Sequence, residues 1–211
     1  MQITAIHPRR KSLVEIELDG QPAGEVDYEV SLRLRLRVGQ TVTDAEWSAM
    51  CAESDCARAK SYALWLLGRQ SCTEKKLCDK LRERYGAEAA QAAVARMREL
   101  NLIDDADYAR RCAEELFRCR HFSELRVVQE LCRRGIDRDT ARNAAAEAAQ
   151  EYQPEPRDAI AELLQTRFSG KFSDEAGRRR TVAALQRMGY RWADIRAALA
   201  QSASEPISEL E

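Results

Sequence analysis

The chain has 211 residues, of which 45% are apolar, 33% charged and only 6% aromatic, with five prolines, nine glycines and a formal charge of −1. That balance fits a helix-rich chain of one or two ordinary domains, or a short array of small ones, and it excludes a bulk polyanion binder. No apolar run approaches membrane-spanning or signal-peptide length, so the sequence reads as a cytoplasmic protein without membrane contact.

Residues 1–56 differ from the rest and hold 6 basic against 10 acidic side chains. Leu13 to Leu18 alternates apolar and acidic, the period of a half-buried strand. Asp19-Gly20-Gln21-Pro22 is a turn signal and Ala23 to Val26 a return strand, with Ile3–Ile6 as a third strand. Ser31 to Arg37 also alternates; it fits a strand or a short helix, and the period favours the strand. Thr43-Asp44-Ala45-Glu46 is a helix start, with Trp47 and Met50 on the apolar face. This leader has too little apolar mass to be an independent enzyme domain.

From Ala57 the period becomes helical, and the pattern repeats. Ala59, Ala63, Leu66 and Leu67 line a first helix, Ser71 to Thr73 cap a second through Leu77 and Leu81, and Tyr85-Gly86 turns into a third that closes at Leu100. Leu100 to Arg111 is the joint between repeats. Asp104 or Asp105 caps the next helix, while Leu102 and Ile103 are expected to pack on its first turn. No Gly-bearing calcium loop or nearby His accompanies these aspartates, so they read as a cap rather than a metal site.

Fifty residues on, Ala109, Ala113, Leu116 and Phe117 take the places of the first set. Ser123 caps, Val127 and Leu131 follow, Gly135 stops the helix, and Asp137 starts a third through Ala141, Ala145 and Ala149. Pro154 and Pro156 punctuate the chain before a looser third unit. Its helices carry Ile160, Leu163 and Leu164; then, after a connection over Phe168 to Asp174, Val182, Leu185 and Met188; then Trp192, Ile195 and Leu199. The expected fold is mainly α: an elongated tandem array of three three-helix, helix-turn-helix-like repeats (57–106, 107–153, 154–201), a small N-terminal β-hairpin segment (1–56) and an acidic tail (202–211).

Catalytic equipment is absent: no Gly-rich phosphate loop, no His-Glu-x-x-His, no Gly-x-Ser-x-Gly, and two histidines far apart. Seven cysteines without a Cys-x-x-Cys pair read as reduced thiols, with Cys78, Cys112 and Cys132 as small apolar fillers. Neither a metal nor a cofactor is implied. The basic side chains are the candidate binding groups. Opposite Leu77 and Leu81 lie Lys76, Lys80 and Arg84. With Leu125, Val128, Leu131 and Cys132 inward, Arg126, Arg133 and Arg134 point out. Arg179, Arg180 and Arg187 are the outward set of the third unit. Arg118, Arg120 and His121 fall in a turn, with Phe122 a stacking ring or, the favoured reading, a core anchor. Trp65 and Trp192 read as packing residues. The charge balance is +3 over 57–106 and zero over 107–153 and 154–211, so any nucleic-acid contact must use single helix faces.

These stretches resemble the RecX family, bacterial regulators of the RecA recombinase. Ala63 to Leu67 with Ser71 and Glu74 to Leu81 resembles "AL..L..R..S..EL..KL". Leu102-Ile103-Asp104-Asp105 with Tyr108-Ala109 resembles "LIDD..YA", the most specific element. Arg126 to Ile136 resembles "RI..EL..KGI". The resemblance covers residues 57–150 well and the third repeat more loosely, through Gly189-Tyr190-Arg191-Trp192. It implies three tandem three-helix repeats and a cofactor-free, non-catalytic monomer that binds RecA nucleoprotein filaments. Such a protein damps strand exchange, ATP turnover and co-protease activity, with single- or double-stranded DNA as a further partner. Many relatives carry Gly before the second helix of repeat two, where this chain has Arg120-His121-Phe122-Ser123. The rival readings are a helix-turn-helix protein acting directly on duplex DNA and a structural adaptor for another helical protein.

Overall fold

A computed structural model describes residues 1–9, 12–152, 155–171 and 174–204, with side chains of the last helix described as far as Gln201. Pro154, part of the Phe168–Asp174 connection and the acidic tail beyond Ser204 lie outside the described residues.

The leader is a three-stranded antiparallel meander, β1 (Ile3–Arg9), β2 (Leu13–Leu18) and β3 (Gln21–Asp27), in that order. The alternation in β2 works as expected. Val14, Ile16 and Leu18 are buried, while Glu17 approaches His7 Nε2 at 3.3 Å and Glu15 pairs with Arg9 on the other face. Asp19 (φ 51°) and Gly20 (φ 80°) both take the left-handed backbone that a tight hairpin turn demands.

The strand expected over Ser31–Arg37 is a helix at its start. α1 runs Tyr28–Arg33, capped by the Asp27 side chain, which accepts from Glu29 N at 2.9 Å. Val30 anchors the helix in the leader core, and Leu32 is left 58% exposed. An N-cap and one buried anchor outweigh an alternation that has no strand partner to pair with.

α2 (Asp44–Arg69) opens on a full capping box: Thr43 Oγ1 accepts from Glu46 N, and Glu46 accepts from Thr43 N at 2.7 Å. The helix runs unbroken past residues 56 and 57. Its first half, through Met50, closes the leader core with Ile3, Ile16 and Val26; its second half, through Ala59, Ala63 and Leu66, belongs to a different cluster. That second cluster is completed by α3 (Glu74–Glu99), which starts on Thr73 and breaks at Gly86 (φ 82°, ψ 175°) into two arms. Leu77 and Leu81 come from one arm, and Ala90, Ala93, Val94 and Met97 from the other. Ile103 packs on this cluster too, and Leu102 is 46% exposed. Ile103 thus covers the apolar surface of the helix it has just left, while Leu102 stays largely open.

The second three-helix module is α4 (Asp105–Arg120), α5 (Glu124–Arg133) and α6 (Arg138–Tyr152). Ala109, Ala113, Leu116, Val127 and Leu131 repeat the buried positions of the first module, and Ala141, Ala145 and Ala148 those of its third helix. Gly135 (φ 98°) ends α5, and the Asp137 carboxylate accepts from Asp139 N and Thr140 N to start α6. The third module is α7 (Pro156–Gln165), α8 (Glu175–Arg187) and α9 (Trp192–Ser204), with Ile160, Leu164, Leu185 and Ile195 at its centre. Helix continues through Ser204, past the point where the tail was expected to begin.

Residues 1–104 and 105–211 form two compact units. Within the second, the loop before α5 meets the α8–α9 corner. Ser123 N donates to Met188 O at 2.9 Å and the Tyr190 hydroxyl to His121 O at 3.1 Å. Gly189 sits at φ 93°, where a Cβ would collide with Ser123 Oγ and lie 2.6 Å from Arg126 Cβ. Gly86 has the same backbone sign but open space around it. Gly189→Ala should therefore lower the unfolding free energy by about 2–4 kcal/mol and Gly86→Ala by about 1–2 kcal/mol in urea titrations. Equal losses would show that the close approach at Gly189 contributes nothing.

Candidate partner-binding surfaces

In the first module the expected cations sit where the periodicity puts them. Lys76 and Arg84 are exposed and Lys80 half-buried, opposite the fully buried Leu77 and Leu81. Around Arg84 the structure adds a surface the sequence reading missed. Arg84 lies over the Tyr62 ring at 4.8 Å and the Tyr85 ring at 5.5 Å, and Arg58 lies over Tyr85 at 5.6 Å. Tyr62 stacks on Trp65 at 5.6 Å and 14°, and Arg69 covers Trp65 at 5.0 Å. Trp65 is 54% exposed and so is not the packing residue expected; Trp192, at 53%, is not either. The signal was present: 58, 62, 65 and 69 follow the i, i+4, i+7, i+11 stripe one residue behind the buried stripe of Ala59, Ala63 and Leu66. A guanidinium stacked on a ring keeps its in-plane N–H groups for an acceptor from outside.

In the second module the outward strip is not as expected. Leu125 is 55% exposed, whereas Val127, Glu130 and Leu131 are buried. Of the expected inward set, Val128, Leu131 and Cys132 pack on the core and Leu125 alone faces out. Glu130 is buried beside them. Its carboxylate, 8% exposed, accepts from Arg133 Nη2 at 2.7 Å and Nε at 3.0 Å, and from Arg134 Nε at 3.2 Å. Arg134 Nη1 reaches the Tyr108 hydroxyl at 3.4 Å. Hydrogen bonds from Arg133 first, and then from Arg134, hold the Glu130 carboxyl below the usual range against its burial. Arg134 is held protonated by Tyr108 and Glu130 although burial opposes the charge. Both arginines are therefore paired with a buried acid; Arg134 is only 36% exposed, while Arg133 stays 77% exposed.

Arg126 does not point to solvent. It is half-buried, its guanidinium lies over Phe122 at 5.5 Å, and its Nε is buried without a hydrogen-bond partner among the described residues. Phe122 packs against the cores of both the second and third modules, which settles it as a core anchor. Arg118 and Arg120 are exposed, but on the last turn of α4 rather than in the turn that follows; Arg118 lies 6.0 Å over the Tyr152 ring. His121 takes the left-handed backbone (φ 53°) at the place where relatives were expected to carry Gly.

In the third module Arg179, Arg180 and Arg187 are all exposed. Arg179 pairs with Glu175, and Arg180 Nε donates to Ala176 O at 3.3 Å. Arg187 instead lines a cleft with Arg126 and with Arg191, a residue the basic set had left out. No group of His, Cys, Asp and Glu among the described residues is arranged to hold a metal ion. All seven cysteines are free thiols, and burial pushes the Cys112 thiol up. Among the described residues, no helix is long and apolar enough to cross a membrane.

Family profiles decide the kinship of this architecture. One described as the first three-helix domain of RecX matches residues 59–97, and one described as its second three-helix domain matches residues 104–144. The regulatory protein RecX of Caldanaerobacter subterraneus subsp. tengcongensis is 31% identical over 141 residues, covering 66% of this chain and 71% of that protein. The chain belongs to the RecX family. A RecX of Trichlorobacter lovleyi is 33% identical over 142 residues, 65% of this chain and 89% of the relative. The match to the RecX of Clostridium botulinum strain Alaska E43 spans 63% of that protein's length. A crystal structure of regulatory protein RecX shares the fold, with a TM-score of 0.63 at 22% identity over 94% of this chain and 98% of that one. A RecX structure from Lactobacillus salivarius does so with a TM-score of 0.57 over 70% and 96%. RecX is a regulatory protein family, and the two stretches that most resemble it meet in space, since Tyr108 from one hydrogen-bonds Arg134 from the other.

The Glu130 site has a pH signature. A carboxyl whose folded value is depressed contributes stability above its unfolded value, near 4.5, and loses it as pH falls through the folded value. Glu130→Gln should cost about 2 kcal/mol at pH 7 in urea midpoints. The deficit should shrink as the pH is taken well below 4.5, and a constant gap across that range would contradict this account.

Proposed function

We propose that this RecX-family chain regulates RecA by binding RecA nucleoprotein filaments, and that it chiefly inhibits recombinase, ATPase and co-protease activity without catalysing a reaction itself. The observation that carries the reading is the recurrence of cations on the second helix of every module: Lys76, Lys80 and Arg84, then Arg133, then Arg179, Arg180 and Arg187. A filament presents the same acidic or phosphate-bearing surface again and again. Modules 57–106, 107–153 and 154–201 would meet successive copies, with 1–56 as a leader and 202–211 as a tail. Contacts that are weak singly add through effective concentration when one chain carries them all. The relatives' name, regulatory protein RecX, supports a partner-directed role. Near-zero charge in the second and third modules disfavours independent binding to duplex, where counterion release dominates affinity.

Because Arg133 and Arg134 are tied to Glu130, they are poor probes of this surface, and the exposed cations of modules one and three are the better ones. RecA ATPase on single-stranded DNA should fall as the protein is titrated in. A Lys76→Glu, Arg84→Glu, Arg179→Glu, Arg180→Glu variant should need about tenfold more protein for the same inhibition. Unaltered ATPase with the unmodified chain would end the filament reading; full inhibition by the variant would end the role of these cations.

A second reading, direct contact with DNA, is favoured by one feature: three arginines of module one held on rings instead of by carboxylates alone. Unpaired strands bind to such basic, aromatic surfaces. Trp65→Ala should then weaken binding to a thymidine oligomer by about tenfold in fluorescence anisotropy, and unchanged affinity would remove this reading.

A further inference from the structure

Where α5 meets the α8–α9 corner, a cleft of about 470 Å³ is walled by Arg126, Arg187 and Arg191, with the side-chain amides of Gln129 and Gln186 between them. Its lining contains no aspartate or glutamate. The neighbouring cleft along α6, by contrast, sets Glu124 and Asp194 among its arginines. Neither Arg187 nor Arg191 enters an ion pair among the described residues. Arg126 is fixed in place. Its backbone N donates to Ser123 Oγ at 3.4 Å, its Cβ lies against Gly189, and its Nη1 reaches Gln129 Oε1 at 3.4 Å. That leaves Nε, buried and without an acceptor.

Three guanidiniums around one concavity repel each other, and a buried charged donor without an acceptor is costly. The repulsion is relieved by one group: an anion with several oxygens, held by the terminal N–H groups of the arginines. A single side-chain carboxylate brings two oxygens and one charge. Three arginines and two amides offer more donors and more charge than that, which matches a phosphate, whose oxygens accept forked N–H pairs from arginine.

We propose that this cleft is a phosphate-binding site, taking the phosphates of a nucleic-acid backbone or of a free nucleotide. It stands apart from the filament reading, because an anion can bind here with this protein alone present. Its place gives occupancy a consequence. One wall belongs to the second module and the other to the third, so a bound phosphate braces the Ser123–Met188 and His121–Tyr190 contacts that join them.

The test is calorimetric titration of the full chain, at fixed ionic strength in chloride, with pyrophosphate, ATP and a thymidine oligomer in separate arms. At least one should bind, and Arg187→Gln/Arg191→Gln should weaken that binding about tenfold or more. Arg110→Gln/Arg111→Gln, exposed arginines of α4 that pair with Asp107 and do not line the cleft, should leave it unchanged. Binding of pyrophosphate and ATP without the oligomer assigns the site to a nucleotide; binding of the oligomer assigns it to a nucleic-acid backbone. No binding in any arm, or an equal loss in both variants, overturns the proposal.

Discussion

Close helix approach at alanine is the constraint on which the modules depend. Ala59 and Ala63 in α2, Ala90 and Ala93 in α3, Ala109 and Ala113 in α4, and Ala141 and Ala145 in α6 are all at 0% exposure. Small side chains at these buried positions let the helices approach closely, since interaxial distance follows the size of the residues at contact. A larger residue at any of them would push the helices apart, and a well-packed interior does not absorb that. Leu77, Leu81, Met97, Val127 and Leu131 are fully buried and fill the rest of these cores, whereas Trp65 and Arg84 stand at the surface.

Much of this was legible in the sequence because it rests on local rules. The fifty-residue shift that relates Ala59, Ala63 and Leu66 to Ala109, Ala113 and Leu116 also relates Leu77 and Leu81 to Val127 and Leu131, and becomes fifty-one in the third helix, from Ala90, Val94 and Met97 to Ala141, Ala145 and Ala148. Thr43, Thr73, Ser123 and Asp137 cap the helices they were expected to cap, because a cap is a contact between near neighbours in the chain. Errors fell where tertiary context overrides pattern. Leu32 to Arg37 alternates like a strand, yet nothing lies beside it to complete a ladder. Leu125 was assigned inward by period alone, but Val127 and Leu131 take the centre of the buried face and leave Leu125 at 55% exposure.

Charge was the least legible property. On paper Arg126, Arg133, Arg134 and Arg187 are equivalent outward cations. In space Arg133 and Arg134 already answer to Glu130, Arg126 is pressed between Phe122 and Gly189, and only Arg187 stands open beside Arg191. A sequence shows how many cations a helix has but not which are already neutralised. That depends on whether an acid three or four residues away happens to be buried, and burial is settled by the whole module. His121 illustrates the reverse case. It takes the left-handed backbone, φ 53°, that a non-glycine residue seldom adopts, held there by the contact of Tyr190 with its carbonyl and by the burial of Phe122 beside it.

Phe122 is a constituent of two hydrophobic clusters at once. A ring with a foot in each core ties their melting together: loosening either module strips apolar cover from the other. The last hundred residues are thus expected to behave as one cooperative foldon even though they contain two repeats. Loss of the third repeat by nicking or truncation would leave a sticky aromatic on what remains, which gives this chain a reason to keep its most divergent repeat.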